Sequence, residues 1–154
     1  MKRWILWTLA AAALALSLAG CAGKAEKTAV DMASVYAQVQ DKLPEMYQMD
    51  EGTMLNYLGI NMEDCAQAVV AVASDGLRAD EIWLIEAKDD QTLESIQELA
   101  QNRLTAKEAE TVQYAPDQYA VVKDARLLTQ GRYLALLVSP EAETIKAFVE
   151  SAWK

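Results

Sequence analysis

The side chains with the reach for chemistry are two cysteines, six methionines, six tyrosines and 23 carboxylates, and the chain has no histidine. The usual general base at neutral pH and the commonest metal ligand are therefore missing. Of the two thiols, Cys21 follows Leu18-Ala19-Gly20 at the end of an apolar segment. A thiolate is nucleophilic enough to make a thioether near neutral pH, and small residues before it leave the backbone open to a peptidase. Cys65 is different: Ala66, Ala68, Val69 and Val70 surround it. That setting reads as a buried, inert thiol, the alternative being a free thiol that pairs between molecules.

Met46-x-x-Met49, with Met54 and Met62 nearby, has the soft ligands that select Cu(I). Without histidine or a second such pair, the better reading is methionine filling an irregular core under a loop, with no metal and no cofactor. Asp80, Glu81, Asp89 and Asp90 gather four carboxylates around one strand. A calcium loop needs alternating oxygen ligands and a glycine, so helix capping and solvation account for them better. Two acids at a suitable separation can hydrolyse a glycosidic bond of the wall. Among so many carboxylates, however, a close pair is expected by chance, and the serines lack a histidine partner. The expectation is a noncatalytic protein, with a carboxylate-based wall hydrolase as the weaker alternative.

The most informative set is Tyr114, Gln118, Tyr119 and Tyr133. Aromatic rings and an amide can stack on and hydrogen-bond a sugar or a peptide strand. The competing reading is structural. Tyr114 and Tyr119 flank Pro116, where a helix hands over to a strand, and large side chains would seal that corner. On the same reasoning Trp83 and Trp153 are core and end-cap packing, and Gln118 is an exposed amide of little consequence for stability.

These residues need elements to hold them. Asp31 caps a helix running to about Leu43, with Val35, Val39 and Leu43 on one face and Pro44 at its end. Residues 45–64, rich in methionine and acid, read as loop with one helical turn around Met54 to Leu58. Residues 62–73 fit a helix face or a strand; the valines and the Ser74-Asp75-Gly76 turn favour a strand from about Ala68. Ile82 to Ala87 is a second, antiparallel strand. Asp89 or Asp90 caps a long helix with Leu93, Ile96, Ala100 and Leu104 on one face, which frays somewhere before Tyr114-Ala115-Pro116. Val121 to Leu128 and Tyr133 to Val138 form a second strand pair around Gln130-Gly131. Ser139-Pro140-Glu141 opens a last helix carrying Ile145, Phe148, Val149 and Ala152. The order is helix, then two strand-strand-helix units about fifty residues apart, a hint of duplication. This predicts an α+β two-layer sandwich: a four-stranded, mainly antiparallel sheet with helices on one face.

Several short runs in this order resemble a known family. They are Ala79-Asp80-Glu81-Ile82, Ala87-Lys88-Asp89, Arg103-Leu104, residues 114–119 (YAPDQY) and Gly131-Arg132-Tyr133. The pattern resembles small lipoproteins of Gram-positive anaerobes, known as domain of unknown function four-three-five-eight, over Asp31 to Trp153. The resemblance implies an anchored extracytoplasmic domain and carries over no catalytic residue, cofactor or substrate.

The N-terminus agrees with that address. Met1-Lys2-Arg3 is a basic head, and the sixteen residues from Trp4 to Ala19 have only Thr8 and Ser17 as polar side chains. The run is shorter than the roughly 18 to 20 residues that span a bilayer, and it reads as a secretory signal. Leu18-Ala19-Gly20-Cys21 resembles the lipobox of bacterial lipoproteins at all four positions, with cleavage between Gly20 and Cys21. The expected organisation is a signal peptide over residues 1–20, a lipidated cysteine and tether over 21–29, and one α+β domain over 30–154.

Two acyl chains on Cys21 give a stable membrane hold where one gives a marginal one. Loss of Lys2 and Arg3 makes the net charge of −9 more negative by two, which argues against nucleic acid and against a polybasic grip on lipid. The protein is expected on the outer face of the cytoplasmic membrane of a Gram-positive bacterium, as a binding or accessory module for an envelope protein or wall fragment. The alternative is a small-ligand or metal receptor with a pocket near the Tyr114 to Tyr119 junction. Cys21→Ala is expected to leave the protein unprocessed or to release it from membranes on fractionation; a variant processed at the same site that still pellets with membranes contradicts the anchor.

Overall fold

A computed structural model describes residues 30–154. The expected signal peptide, Gly20, Cys21 and the tether lie outside the described residues. Asp31 caps α1 (Met32–Val39) by accepting a hydrogen bond from the Ala33 amide, and a single 3-10 turn carries the chain on to Lys42. β1 (Met46–Gln48) follows, then α2 (Glu51–Thr53), which widens into a π turn over Met54–Leu58. Gly59, at φ 75°, ends that turn in a left-handed conformation that suits glycine. β2 (Cys65–Ala73) and β3 (Glu81–Ala87) form an antiparallel pair. Asp89 caps α3 (Asp90–Tyr114) through the Thr92 amide at 2.7 Å. Then come α4 (Pro116–Lys123), β4 (Arg126–Gln130), β5 (Tyr133–Val138) and α5 (Ala142–Ala152).

The fold is α+β, with one antiparallel five-stranded sheet in the order β1-β2-β3-β5-β4. The expected four strands were one too few. Met46, Tyr47 and Gln48 pair with Ala73, Val72 and Ala71 along the free edge of β2, and a three-residue strand shows no periodicity to read. The ambiguous stretch is strand from Cys65 onward, preceded by a 3-10 turn over Met62–Asp64.

Helices on one face only is also corrected: both faces are covered. Every residue of β3 is buried. Trp83 and Ile85, with Leu134, Leu136 and Val138 of β5, pack against Ile96 and Ala100 of α3 and Val122 of α4. Ile82 and Leu84, with Ala135 and Leu137, pack against Val35 and Val39 of α1 and Ile145 and Val149 of α5. The physical reason lies in the two central strands: EIWLIEA and YLALLV are apolar on both sides of the pleat, as strands buried on both faces are. A single helical layer would leave half of those side chains in water.

A further correction concerns residues 116–123, read as the approach to a strand. Pro116 sits in the first turn of α4, where its missing N–H costs nothing, and Asp117 follows near the positive end of the helix. The valines at 121 and 122 therefore sit on a helix, and the strand starts only at Arg126. Ser139 does not cap α5 directly; its hydroxyl accepts from the Glu141 amide at 3.1 Å, and the helix begins at Ala142.

Candidate functional site

Where β3 begins, an acidic residue faces α3 in place of an apolar one. Glu81 is fully buried. Its carboxylate accepts from the Trp83 indole Nε1 at 2.7 Å, Arg103 Nε at 3.1 Å and Arg103 Nη2 at 2.8 Å, and it pairs with Lys107 Nζ at 3.0 Å. Arg103 and Lys107 stand four apart on α3, one helical turn, so both reach the same carboxylate. Burial alone would raise the pKa of Glu81. The Arg103 hydrogen bond and the Lys107 and Arg103 charges outweigh it and hold the carboxyl below its ordinary value.

The same lysine fastens the turn between β2 and β3. Lys107 Nζ donates to the Ala79 carbonyl at 2.9 Å, while the Ala79 amide donates to Gln118 Oε1 at 3.0 Å. Both peptide groups of one buried alanine are thus tied to α3 and α4. Inside the turn, Asp75 Oδ1 accepts from the Leu77 amide, and Arg78 Nε donates to Asp80 Oδ2 at 3.0 Å. Asp80 Oδ1 is buried without a hydrogen-bond partner in the described residues.

Above Glu81, Arg103 and Lys107 lies a cleft of about 590 Å³. β1 and the α2 turn form one wall, through Tyr47, Met49 and Tyr57; Glu110, Thr111 and Tyr114 of α3 form another; the β2–β3 turn closes the end with Leu77 and Arg78. Tyr47 is 48% exposed, Tyr57 64% and Tyr114 82%. The Arg103 guanidinium lies 5.2 Å from the Tyr57 ring centroid, within cation–π range.

The structure brings together only part of the set expected from sequence. Tyr114 and Gln118 both line the cleft. Tyr114 is exposed and seals nothing, so its expected corner-packing role is corrected. Gln118 is half-buried and bonded to the Ala79 amide, so it is not a silent surface amide. Tyr119 leaves the group, because α4 carries it away from the cleft to donate to Glu108 Oε1 at 3.3 Å. Tyr133 packs with the opposite sheet face, stacked on Trp153 at 5.8 Å.

Sequence reasoning missed Tyr47 and Tyr57, in a stretch read as loop, and the Glu81–Arg103–Lys107 group. A usable signal existed. The buried stripe of α3 runs Ile96, Ala100, Lys107, Thr111, and charged residues on an apolar stripe announce a buried partner.

The other chemical candidates sit elsewhere. Met46 packs on the α1 side of the sheet, while Met49, Met54 and Met62 pack on the α3 side. β3 separates Asp80 and Glu81 from Asp89 and Asp90. No three His, Cys, Asp or Glu side chains of the described residues group to hold a metal. Cys65 is buried, and desolvation pushes its thiol up to about 11. Ser151 and Lys154 have Ser-x-x-Lys spacing, but both are exposed at the end of α5.

Among comparisons with known proteins, a family model described as Domain of unknown function (DUF4358) matches residues 38–139. Every cleft residue named above falls inside that span. No curated protein matches the chain, and no solved structure does.

The lowered pKa of Glu81 fixes the sign of a pH effect. A carboxyl held below its unfolded value, 4.5 for glutamate, contributes stability above that pH and loses it as pH falls through the folded value. Urea unfolding should show the chain weakening below pH 4.5. Glu81→Gln should cost about 3–5 kcal/mol at neutral pH, because two buried cations lose their partner, and should flatten the acid limb. The limb should not vanish, since the capping Asp31 and Asp89, and Asp50, which precedes α2 and accepts from the Thr53 amide, are also held low. An unchanged acid limb contradicts the ionised Glu81.

Proposed function

Since the chain belongs to the DUF4358 family, whose description carries no activity, we propose that it is a noncatalytic binding module whose ligand enters the tyrosine-rimmed cleft. The observation that carries this reading is the distribution of exposed apolar side chains. Seven large ones are exposed among the described residues, and four of them, Tyr47, Tyr57, Leu77 and Tyr114, line this one cleft. Scattered apolar residues are ordinary on a surface, but a contiguous set around a concavity marks a place of contact.

Docking of an envelope partner on an open sheet face has no basis, because helices cover both faces; the sheet edges are a separate matter. A receptor with a pocket at Tyr114 gains a basis. The noncatalytic reading is supported by the state of the carboxylates: Glu81 is saturated by three donor side chains, and Asp80 is held by Arg78. Glu81, held below its ordinary value by these donors, is not poised as a general acid or base at neutral pH. The lipid on Cys21 would hold the cleft at the outer face of the cytoplasmic membrane, within reach of wall fragments and envelope proteins.

A small-molecule fragment screen followed by NMR of the tyrosine rings tests the cleft. Binding fragments should shift the Tyr47, Tyr57 and Tyr114 signals together and leave Tyr133 unmoved. Replacing all three rim tyrosines by alanine should abolish fragment binding, read on the fragments' own signals, while keeping the melting temperature within a few degrees, since exposed side chains contribute little to stability. Fragment responses that gather elsewhere, or survive the triple substitution, contradict the reading.

A further inference from the structure

Building on the cleft as the ligand site, we infer that its ligand is a carboxylate carried on a ring. The first observation is the charge at the cleft floor. Glu81 contributes one negative charge, and Arg103 and Lys107 contribute two positive ones, with side chains only 0%, 15% and 9% exposed. The single carboxylate already takes the Trp83 indole, Arg103 and Lys107. One positive charge of this triad therefore has no second carboxylate in direct contact, in a poorly hydrated place where an unmatched charge is costly. It stands out all the more in a chain of net charge −9.

The second observation is the set of donors left over. Arg103 turns Nε and Nη2 to Glu81, and no other carboxylate of the described residues pairs with it. Arg78, at the end of the same cleft, uses only Nε, on Asp80. Unspent guanidinium N–H groups match the geometry of a carboxylate. Glu110 lines the cleft too, but it is solvent-exposed and makes no salt bridge with these cations. Water screens it, and it can accept from a ligand hydroxyl or amide.

The third observation is the rim. Tyr57 stands over Arg103, and Tyr47 and Tyr114 expose their rings on the walls beside it. A ligand whose anionic end reaches Arg103 must pass between aromatic faces, which favours a flat or sugar ring in its body. Ring and anion together define the class. A sugar acid from the wall and a free aromatic acid both have this chemistry.

The test is a matched titration of the full chain in detergent micelles, read by the rim tyrosine NMR signals. One arm compares phenylacetate, phenylacetamide and phenethylamine; the other compares N-acetylmuramic acid with N-acetylglucosamine, its counterpart without the carboxylate. In at least one arm the carboxylate should bind tenfold or more tighter than its neutral partner, about what charge-assisted hydrogen bonds supply. The arm with the tighter acid identifies the source. Arg103→Lys keeps the positive charge but loses the planar fork; it should weaken the acid by roughly tenfold while leaving the neutral compound unchanged. Equal binding of acid and amide, or a preference for the amine, overturns the inference and leaves the cleft standing as a site. No response of the rim tyrosines to any probe overturns both.

Discussion

One carboxylate organises the cleft end of this domain. Glu81 enters the sheet at the first residue of β3, and it is buried because the strand it opens is covered on both faces. A buried charge persists only when paired and hydrogen-bonded. Arg103, Lys107 and the Trp83 indole meet that need from two different elements. The consequence spreads outward. Lys107 also holds the Ala79 carbonyl, so the same group fixes the β2–β3 turn, and that turn forms one end of the cleft. Nearer the start of α3, Ile96 and Ala100 join it to the sheet by apolar packing. Further along, ions take over from methylene groups, and it is there that the cleft opens.

Such a network is not a cheap source of stability. Buried ion pairs give back much of their attraction as lost hydration, and apolar side chains of similar volume often do as well. What the ions supply here is position. They set which residues of α3 face β3, and they leave unspent hydrogen-bond donors beside exposed tyrosines. The apolar core, by contrast, is split into two layers by the sheet. The α1 and α5 layer closes the side away from the cleft, and most of both helices falls outside the stretch matched by the family model.

The sequence disclosed the long elements and hid the short and the long-range ones. Ile82 to Ala87 and Tyr133 to Val138 were plainly strands, and Asp89 with its apolar stripe was plainly the start of a helix. The meaning of IWLIEA as a run without alternation was there to be read: it demands cover on both faces. β1 was hidden by its three-residue length, and α4 by a proline that both ends one helix and begins the next. The candidate site was half legible. Tyr114, at the end of α3, and Gln118, in α4, flank Pro116 and do share the cleft, whereas Tyr119 and Tyr133 diverge onto other surfaces. Tyr47 and Tyr57 become neighbours of Arg103 only through folding. Glu81 and Lys107 are 26 positions apart, a separation no local pattern reports.

The central claim is that Glu81 and α3 are coupled through buried charge, and a double-mutant cycle measures that coupling directly. Urea unfolding of the parent chain, Glu81→Gln, Lys107→Met and the double variant isolates the pair from everything else each side chain does. The network predicts that the double variant is more stable than the sum of the single losses implies, by roughly 1–3 kcal/mol, as for residues in direct contact. Losses that add to within about 0.5 kcal/mol, as for distant and independent sites, would contradict the account.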